Sequence, residues 1–506
     1  MLWEELKKAA LLGLARYPLS EEVLAALDEL GVNVGQEDAD VLLEAAATLH
    51  GMQRAGQVLE RHPEPLPEPV ATDDDAVLDP ATVRLLQPVF EGEYKAALPE
   101  VLALMRTHDK RLPGEILPAL FARLRDQPAE LEALRPLWGA RGEWWLQQHP
   151  QYCLFARTPP PESWTDENPA ARLRFLKYLR RYNADEGLNL LAASWDKLPK
   201  EEKLTLLDGL RINPSGADLP FLRSLATERA VTLRRRAAQL RLLAGDVELT
   251  ARFEQRFREQ LSTTGSTNGP VVVFTPPDTP DESAYADGLI SRAGAKKWTV
   301  DYLEALLQGV PVDDWAPLIG VNEKELPGAL LRSDWWGSLF PAYLNALSGT
   351  ADAERIETLW RMALNNEEQT IRNYGQPLAA LAPHLPAGRA DALLLHFAQA
   401  HQQLIRDELF WQLLLNSPHE WSNNLSLAVL KPFQRHLRND DFRMPHLPAY
   451  RQLLRTAGYR IDPALLPTIE QGWYTFGATY GQWEQDIEAM QRVLLFRGRL
   501  RKALKS

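Results

Sequence analysis

The chain has 506 residues, of which 45% are hydrophobic and 25% are charged, and its formal net charge is -12. A chain of this length exceeds one ordinary compact core, so we expect several domains or an open-ended repeat array. The acidic balance disfavours nonspecific binding to nucleic acid or to an anionic membrane. The single cysteine, Cys153, excludes an internal disulfide and a cysteine-based metal site.

The N-terminal segment, residues 1–62, is predicted to be helical. Its start, Met1–Lys8, carries acidic residues where a signal peptide would be basic, and no apolar run in the chain is long enough to span a bilayer. We therefore expect a cytoplasmic protein. Ser20 is a predicted N-cap with glutamates after it, and Gly31 is predicted to end that helix. A third helix is expected over Glu37–Leu59.

A proline-rich break follows. Proline and glutamate alternate over His62–Pro69, and three adjacent aspartates occupy Asp73–Asp75. Alternating prolines prevent a helix and favour an extended polyproline conformation, which predicts a surface linker. Three adjacent aspartates admit a divalent-cation site, but such runs more often carry solvated loop charge.

The central segment, residues 79–261, is predicted to consist of HEAT-like helical repeats. Asp79 and Asn168 each precede a proline, the pattern of an N-cap followed by proline at the first helical position. The helix predicted over Val231–Ala244 carries one apolar stripe, formed by Leu233, Ala237, Leu240 and Ala244. Arg234 and Arg241 lie on a different side. Such a helix cannot bury its stripe alone, which is typical of an α-solenoid of stacked helical pairs.

The next break, Ser262–Asp281, contains the best strand signal in the chain. Val271–Phe274 is a β-branched and aromatic run bounded by glycine and proline. Because no second strand is evident, we expect an isolated extended segment lying on a helix. The preceding glycine- and serine-rich stretch lacks the lysine and the following helix that a phosphate-binding loop requires.

The C-terminal segment, residues 286–506, is again predicted to consist of helical repeats. Its last helix carries an apolar stripe of Trp483, Ile487, Met490 and Leu494 and ends in basic residues. Helical pairs recur at irregular intervals of about 35–45 residues, within the range of degenerate HEAT-like repeats. The predicted fold class is therefore all-α, an irregular HEAT-like α-solenoid of stacked helical pairs.

No catalytic constellation is visible in the sequence. His396 and His401 are five residues apart, so they do not share a helical face as a metal-binding pair would. Nucleophile-elbow, zinc-protease, phosphate-loop and dinucleotide-binding motifs are missing from the sequence. We therefore expect no cofactor, no metal and no enzymatic activity, and we give little weight to a cryptic hydrolase or DNA glycosylase.

Five residues are candidates for partner contact. Arg234, Arg235 and Arg241 belong to the most basic local stretch, which either pairs with acids inside the protein or contacts an acidic partner or phosphate. Trp335 and Trp336 are adjacent on a predicted helix and point about 100° apart, so one can pack inward while the other faces outward. The outer tryptophan either fills a gap between helices or forms a binding hot spot.

Four stretches of the sequence carry information that a helical pattern alone does not give: residues 3–13, 141–146, 172–176 and 204–243. They resemble a family of large, all-helical bacterial proteins catalogued as a domain of unknown function. The resemblance implies a partner class, because members of that family are encoded beside SWIM zinc-finger proteins, MoxR-type AAA+ ATPases and von Willebrand A-type proteins. It implies no catalytic residues.

Pattern and resemblance together predict a non-enzymatic helical-repeat scaffold that binds protein partners, with a MoxR-type AAA+ ATPase system as the named candidate. Solenoids expose long surfaces suited to this role. The alternative is a HEAT-like nucleic-acid-binding protein that acts on DNA, which would require a basic face with aromatic residues. The net charge disfavours that alternative.

Overall fold

The computed structural model describes residues 2–35, 38–55, 68, 70, 78–124, 128–149, 161–165, 168–290, 298–365, 368–401, 404, 407–439, 447–471, 473 and 483–505. The chain forms two compact units, Met1–Pro69 and Val70–Ser506. Cys153, the aspartates at 73–75 and nearly all of the predicted proline-rich linker lie outside the described residues. The predicted three-segment division stays a prediction.

The smaller unit contains three helices: α1 (Leu2–Leu12), α2 (Glu21–Glu29) and α3 (Asp38–Ala55). The Ser20 hydroxyl accepts a hydrogen bond from the Val23 amide at 3.3 Å, which confirms the predicted N-cap. Gly31 follows α2 with a φ of 83°, a left-handed conformation that glycine adopts without strain. The core of this unit consists of Leu6, Leu27, Val32, Val41 and Ala45.

The larger unit begins with helices capped as the sequence predicts. Its first ten helices are α4 (Pro80–Glu91), α5 (Leu98–Thr107), α6 (Leu117–Leu124), α7 (Pro128–Gln148), α8 (Pro169–Tyr182), α9 (Ala184–Ser194), α10 (Lys200–Leu207), α11 (Leu219–Ser224), α12 (Val231–Leu243) and α13 (Val247–Gln260). The Asp79 carboxylate accepts from the Ala81 amide at 2.8 Å, and the Asn168 side chain accepts from the Ala170 amide at 3.0 Å. Both N-cap predictions are confirmed.

The apolar stripe of α12 faces the core. Leu233, Ala237 and Leu240 are buried, and Ala244, just beyond the helix, is half-buried. They pack with side chains from α8, α9, α10 and α11, including Leu176, Leu191 and Leu207. Burial of this stripe confirms the helical periodicity that predicted it.

A β-hairpin follows α13, formed by β1 (Leu261–Ser266) and β2 (Gly269–Phe274). The strands pair antiparallel with Leu261 opposite Phe274 and Ser266 opposite Gly269, leaving a two-residue turn. The prediction of a strand at 271–274 is confirmed, but the expectation that it is isolated is wrong. Its partner is rich in serine and threonine, so it gave no hydrophobic strand signal.

The remaining helices are α14 (Glu282–Ala286), α15 (Trp298–Gly309), α16 (Val312–Ile319), α17 (Leu326–Leu331), α18 (Trp336–Thr350), α19 (Ala353–Leu364), α20 (Gly375–Ala380), α21 (Ala387–Ala400), α22 (Glu408–Asn416), α23 (Asn423–Asn439), α24 (Leu447–Arg460), α25 (Leu466–Gln471) and α26 (Glu484–Lys505). The described residues thus form 26 α-helices and one two-stranded sheet, and 76% of residues are helical. The mostly helical prediction is confirmed.

The last helix, α26, joins two parts of the larger unit. Its predicted stripe of Trp483, Ile487, Met490 and Leu494 is buried in a core that begins at Ala238. Farther along, Leu500 and Leu504 are buried among side chains of α4, α5, α6 and α7. The same helix therefore completes two separate hydrophobic cores.

Candidate partner-binding site

Arg234 lies in the interior and binds main-chain carbonyls. It is 6% exposed, although it leaves α12 on a different side from the apolar stripe. Its guanidinium donates to the carbonyls of Tyr285 at 2.6 Å, Glu228 at 2.6 Å, Arg229 at 3.0 Å and Ile290 at 3.2 Å. Arg234 therefore donates to carbonyls inside the protein, where the sequence left open pairing with an acid or contact with a partner, because Asp281–Ile290, here called the strap, covers that side of α12.

Arg235 binds the same strap. It is half-buried, and it donates to the carbonyls of Gly288 at 3.1 Å and Leu289 at 3.3 Å. Burial lowers the pKa of the Arg235 guanidinium from its usual range. Gly288 has a φ of 74°, and a Cβ there would stand 2.3 Å from the Arg235 main-chain nitrogen. Only glycine fits this approach of the strap to α12.

Arg241 is also buried, at 7% exposure, and forms an ion pair. Its Nε donates to the Asp246 carboxylate at 2.9 Å, and Arg223 donates to the same carboxylate at 3.1 Å. Burial raises the pKa of the Asp246 carboxyl, but hydrogen bonds from Arg223 and Arg241 outweigh that effect and lower it to about 2. Of the two interpretations of this basic stretch, pairing with an acid inside the protein therefore holds for Arg241, because Asp246 closes the turn between α12 and α13 over it.

The strap is bound by two further arginines, from α13. Arg252 and Arg256 each donate to the buried Asp287 carboxylate at 2.8 Å. Leu289 and Ile290 at the end of the strap are fully buried in the larger core. The arginines of this basic stretch therefore mainly bind groups inside the protein and hold the strap and the α12–α13 turn in place.

One tryptophan of the Trp335–Trp336 pair faces inward and the other outward, but Trp335 lies in the turn before α18 and not on the predicted helix. Trp335 is half-buried and packs edge-on against Phe274 of β2, with ring centroids 5.1 Å apart. Trp336, the first residue of α18, is 39% exposed. Its ring contacts Tyr374 edge-on at 6.1 Å, and Tyr374 in turn contacts the buried Phe340 at 4.9 Å. The outer tryptophan is thus an exposed ring supported by buried aromatic side chains.

The surroundings of Trp336 are open and acidic. Gly337 is exposed, and a Cβ there would meet nothing within 4 Å. Asp334 is exposed beside it. The nearby cations Arg332 and Arg372 pair with Glu368 and Asp407, the second pair at 2.5 Å. We define Trp336, Gly337, Asp334 and the edge of Tyr374 as the Trp336 surface.

A second exposed surface was missed by the sequence analysis. Tyr178 and Tyr182 on α8 have ring centroids 5.0 Å apart, and Tyr182 is 62% exposed. Lys177 and Arg181 are exposed on the same helix and have no ion pair within the part of the chain that the structure describes. The available signal was the i, i+4 spacing of two tyrosines and two cations. We call these four residues the α8 surface.

A groove between α19 and α21 has a volume of about 370 Å³. Its two arginines share one carboxylate, because Glu357 pairs with Arg361 at 2.5 Å and Arg389 at 3.3 Å. His396 and Phe397 line the same groove. Among the residues described, no three His, Cys, Asp or Glu side chains come together as metal ligands. Among its described lining residues the groove therefore keeps one positive charge in excess of its single carboxylate, and it has no chelating set.

None of the helices in the described ranges has the unbroken apolar length that a bilayer-spanning helix requires. A family model described as "Family of unknown function (DUF5691)" matches residues 5–504. No curated protein and no solved structure matches the chain. The matched range includes the strap, the hairpin, the Trp336 surface and the α8 surface.

Proposed function

We propose a function on the premise that this chain belongs to the family of unknown function DUF5691. In this proposal the protein is a non-enzymatic, cytoplasmic scaffold of HEAT-like helical repeats that binds protein partners. The named partner is a MoxR-type AAA+ ATPase, with von Willebrand A-type and SWIM zinc-finger proteins as further candidates. This class of partner is supported by the proteins that are encoded beside members of the family that the chain resembles.

The single observation that carries the proposal is the placement of Trp336. Its large apolar ring is 39% exposed, yet Tyr374 and Phe340 support it from below. A rigid, exposed tryptophan loses little conformational entropy on binding and buries much apolar area, which is why tryptophan is enriched among hot spots. Trp336 is therefore the residue that we expect to enter a pocket of the partner.

The proposed contact no longer includes the buried arginines. Arg234 and Arg241 direct their donors to groups inside the protein, and Arg235 contributes two of its donors to the strap. An apolar contact around Trp336 should depend weakly on ionic strength, unlike a contact made by exposed arginines. Salt dependence thus distinguishes the Trp336 surface from a basic one.

The test is a calorimetric titration of the purified chain with the purified MoxR-type ATPase of the native host. We expect Trp336→Ala to weaken binding by about 2 kcal/mol, or roughly thirtyfold, because a central tryptophan leaves its pocket empty. The matched control is Leu495→Ala, which removes an apolar side chain of similar exposure, 47%, from α26. Circular dichroism should show that both variants stay folded.

Equal affinity of Trp336→Ala and wild type for the ATPase would remove Trp336 from the contact. Absence of any binding by wild type would refute the choice of partner. Turnover of a nucleotide, a peptide or a modified base by the purified chain alone would refute the scaffold function itself.

The second candidate function, a HEAT-like protein that binds nucleic acid and acts on DNA, is favoured by the α8 surface alone. Tyrosine rings can stack on bases while Lys177 and Arg181 contact phosphate. Titration with single-stranded DNA at two salt concentrations tests it. Binding that weakens steeply with salt and is lost in Lys177→Glu/Arg181→Glu would support it, and equal binding by that variant would contradict it.

A further inference from the structure

The register of the hairpin fixes which main-chain groups point outward. The Thr275 amide donates to the Gln260 carbonyl at 2.8 Å, so residues 260 and 275 form a hydrogen-bonded pair. Pairs alternate along an antiparallel ladder, so residues 262, 264 and 266 bond inward to β2. The N–H and C=O groups of Thr263 and Gly265 therefore point away from β2, along the outer edge of β1.

The two edges of this sheet differ. On β2, Pro270 has no N–H, and its carbonyl accepts two hydrogen bonds from Arg332, at 3.0 and 2.9 Å. On β1, Gly265 is exposed, and because glycine has no side chain this exposure is that of its main chain. Within the described part of the chain, the outward groups of Thr263 and Gly265 have no hydrogen-bond partner. The β2 edge is covered, since Pro270 is bound by Arg332 and Val272 is buried, whereas the β1 edge is exposed at Gly265.

The open edge lacks the features that usually prevent strand pairing. Leu261–Ser266 contains no charged residue and no proline, and its register with β2 runs without a bulge. Natural proteins commonly protect exposed edges with charges, prolines or bulges, because an open edge accepts further strands. An edge without them is suited to binding.

The strand is also held rigidly in place. Leu261 is buried, and the Thr263 hydroxyl donates to the Ile319 carbonyl at the end of α16, at 2.9 Å. Leu261, Val272 and Phe274 share the face that packs on the core. A preorganised edge loses little entropy when a third strand is added.

We propose that the outer edge of β1 binds an extended peptide segment of a partner protein as a third strand. Main-chain donors and acceptors that recur every second residue are matched by another extended main chain. The segment should be uncharged and β-branched where it faces Ser262 and Thr264, because hydroxyl and β-branched pairs are favourable across strands. A second copy of this chain should bind this edge less well, because each copy has a net charge of -12 and the two copies repel each other.

This inference rests on the proposed function only in taking the partner to be a protein. The experiment pans a phage-displayed library of random decapeptides on the full wild-type chain and then measures the binding of the enriched peptides to wild type and to Gly265→Pro. Proline removes the outward N–H of Gly265 and leaves every inward ladder bond in place, which edge strands tolerate. Enriched peptides should alternate Val, Ile or Thr with other residues and should bind Gly265→Pro about tenfold more weakly.

Two further variants complete the test. Thr264→Ala is the matched control, because Thr264 is exposed but its main chain bonds inward, so the enriched peptides should bind it as they bind wild type. Gly265→Lys keeps the N–H and places a cation at the edge, and it should weaken binding even if the proline variant does not fold. Hydrogen exchange should show slowed amides at Thr263 and Gly265 in the complex.

Peptides that bind wild type and both Gly265 variants equally would overturn the proposal, as would a library that yields no binder. A wild-type dimer that Gly265→Pro converts to a monomer in sedimentation would assign the edge to a second copy, and would also overturn it. Because the library contains no ATPase, failure of the ATPase titration and failure of this panning are independent results.

Discussion

Two arginine-rich helices, α12 and α26, both place arginines in the interior, but these arginines donate to different kinds of acceptor. Arg234 of α12 donates to four main-chain carbonyls, two of them in the strap. Arg497 of α26 is 1% exposed and donates to the carboxylates of Glu100 and Glu420 as well as to two carbonyls. Removing the first leaves buried carbonyls without a donor, whereas removing the second does the same to two carbonyls and also takes from Glu100 and Glu420 one of the two arginines that pair with them. A buried charge without its partner costs more.

The largest expected effect is therefore that of Arg497→Met. It leaves the Glu100 carboxylate, 2.5 Å from Nε, without its buried partner, although Arg501 still contacts Glu100. We expect the free energy of unfolding in urea to fall by about 3–5 kcal/mol. The control is Arg499→Met on the same helix, where the side chain is exposed and the change should be within about 0.5 kcal/mol. Equal losses in the two variants would contradict the buried pair.

Arg234→Met should have the next largest effect, a loss of about 2–3 kcal/mol, because several buried carbonyls lose their donor together. An arginine on an outer face would cost less than about 1 kcal/mol. Thermal unfolding of Arg234→Met beside Arg229→Met, whose side chain is exposed, measures the difference. If Arg234→Met proved no more destabilising than Arg229→Met, the strap would not depend on α12.

Asp246, at the end of α12, should make this region sensitive to acid. The pKa of its carboxyl falls from an ordinary 3.8 to about 2 in the folded protein. Because the folded-state pKa is the lower one, the stabilisation is complete above about pH 4 and is lost as the pH falls towards 2. The shift corresponds to about 2 kcal/mol. Urea unfolding of wild type at several pH values should show this loss of unfolding free energy between about pH 4 and pH 2. Asp246→Asn should abolish the part of the loss that comes from Asp246.

The smallest effect expected within the comparison is that of Arg235→Met. Arg235 is half-buried and contacts two strap carbonyls at 3.1 and 3.3 Å, so water can replace part of what it donates. We expect a loss of about 1 kcal/mol, measured by urea unfolding together with Arg234→Met. A loss larger than that of Arg234→Met would contradict the expectation that the more buried of these two arginines contributes more to stability.

Local features of the fold could be predicted because their physical causes lie within a few residues. The caps at Asp79 and Asn168 bind amides two residues away, and the stripes of α12 and α26 follow helical spacing. The strand at β2 was predicted from its valines. Its partner β1 was not, because serine and threonine pair there only once a turn brings them opposite those valines.

The candidate site could be predicted only in part. The sequence predicted that one of Trp335 and Trp336 faces inward, but not that Trp335 lies in the turn before α18, where it contacts Phe274. The position of Arg234 was not predictable. Arg234 binds carbonyls 51 and 56 residues farther along the chain, and a carbonyl acceptor has no signature in a sequence. Arg497 binds a glutamate 397 residues away.

That last separation has a consequence for synthesis. Glu100 leaves the ribosome 397 residues before Arg497, an interval of about 20–80 s at ordinary rates of translation. Throughout it, α4 and α5 lack Leu500 and Leu504, which are later buried among them. The nascent chain thus carries an acidic and apolar surface until α26 covers it. Chaperones that hold such surfaces should act on this protein before α26 emerges.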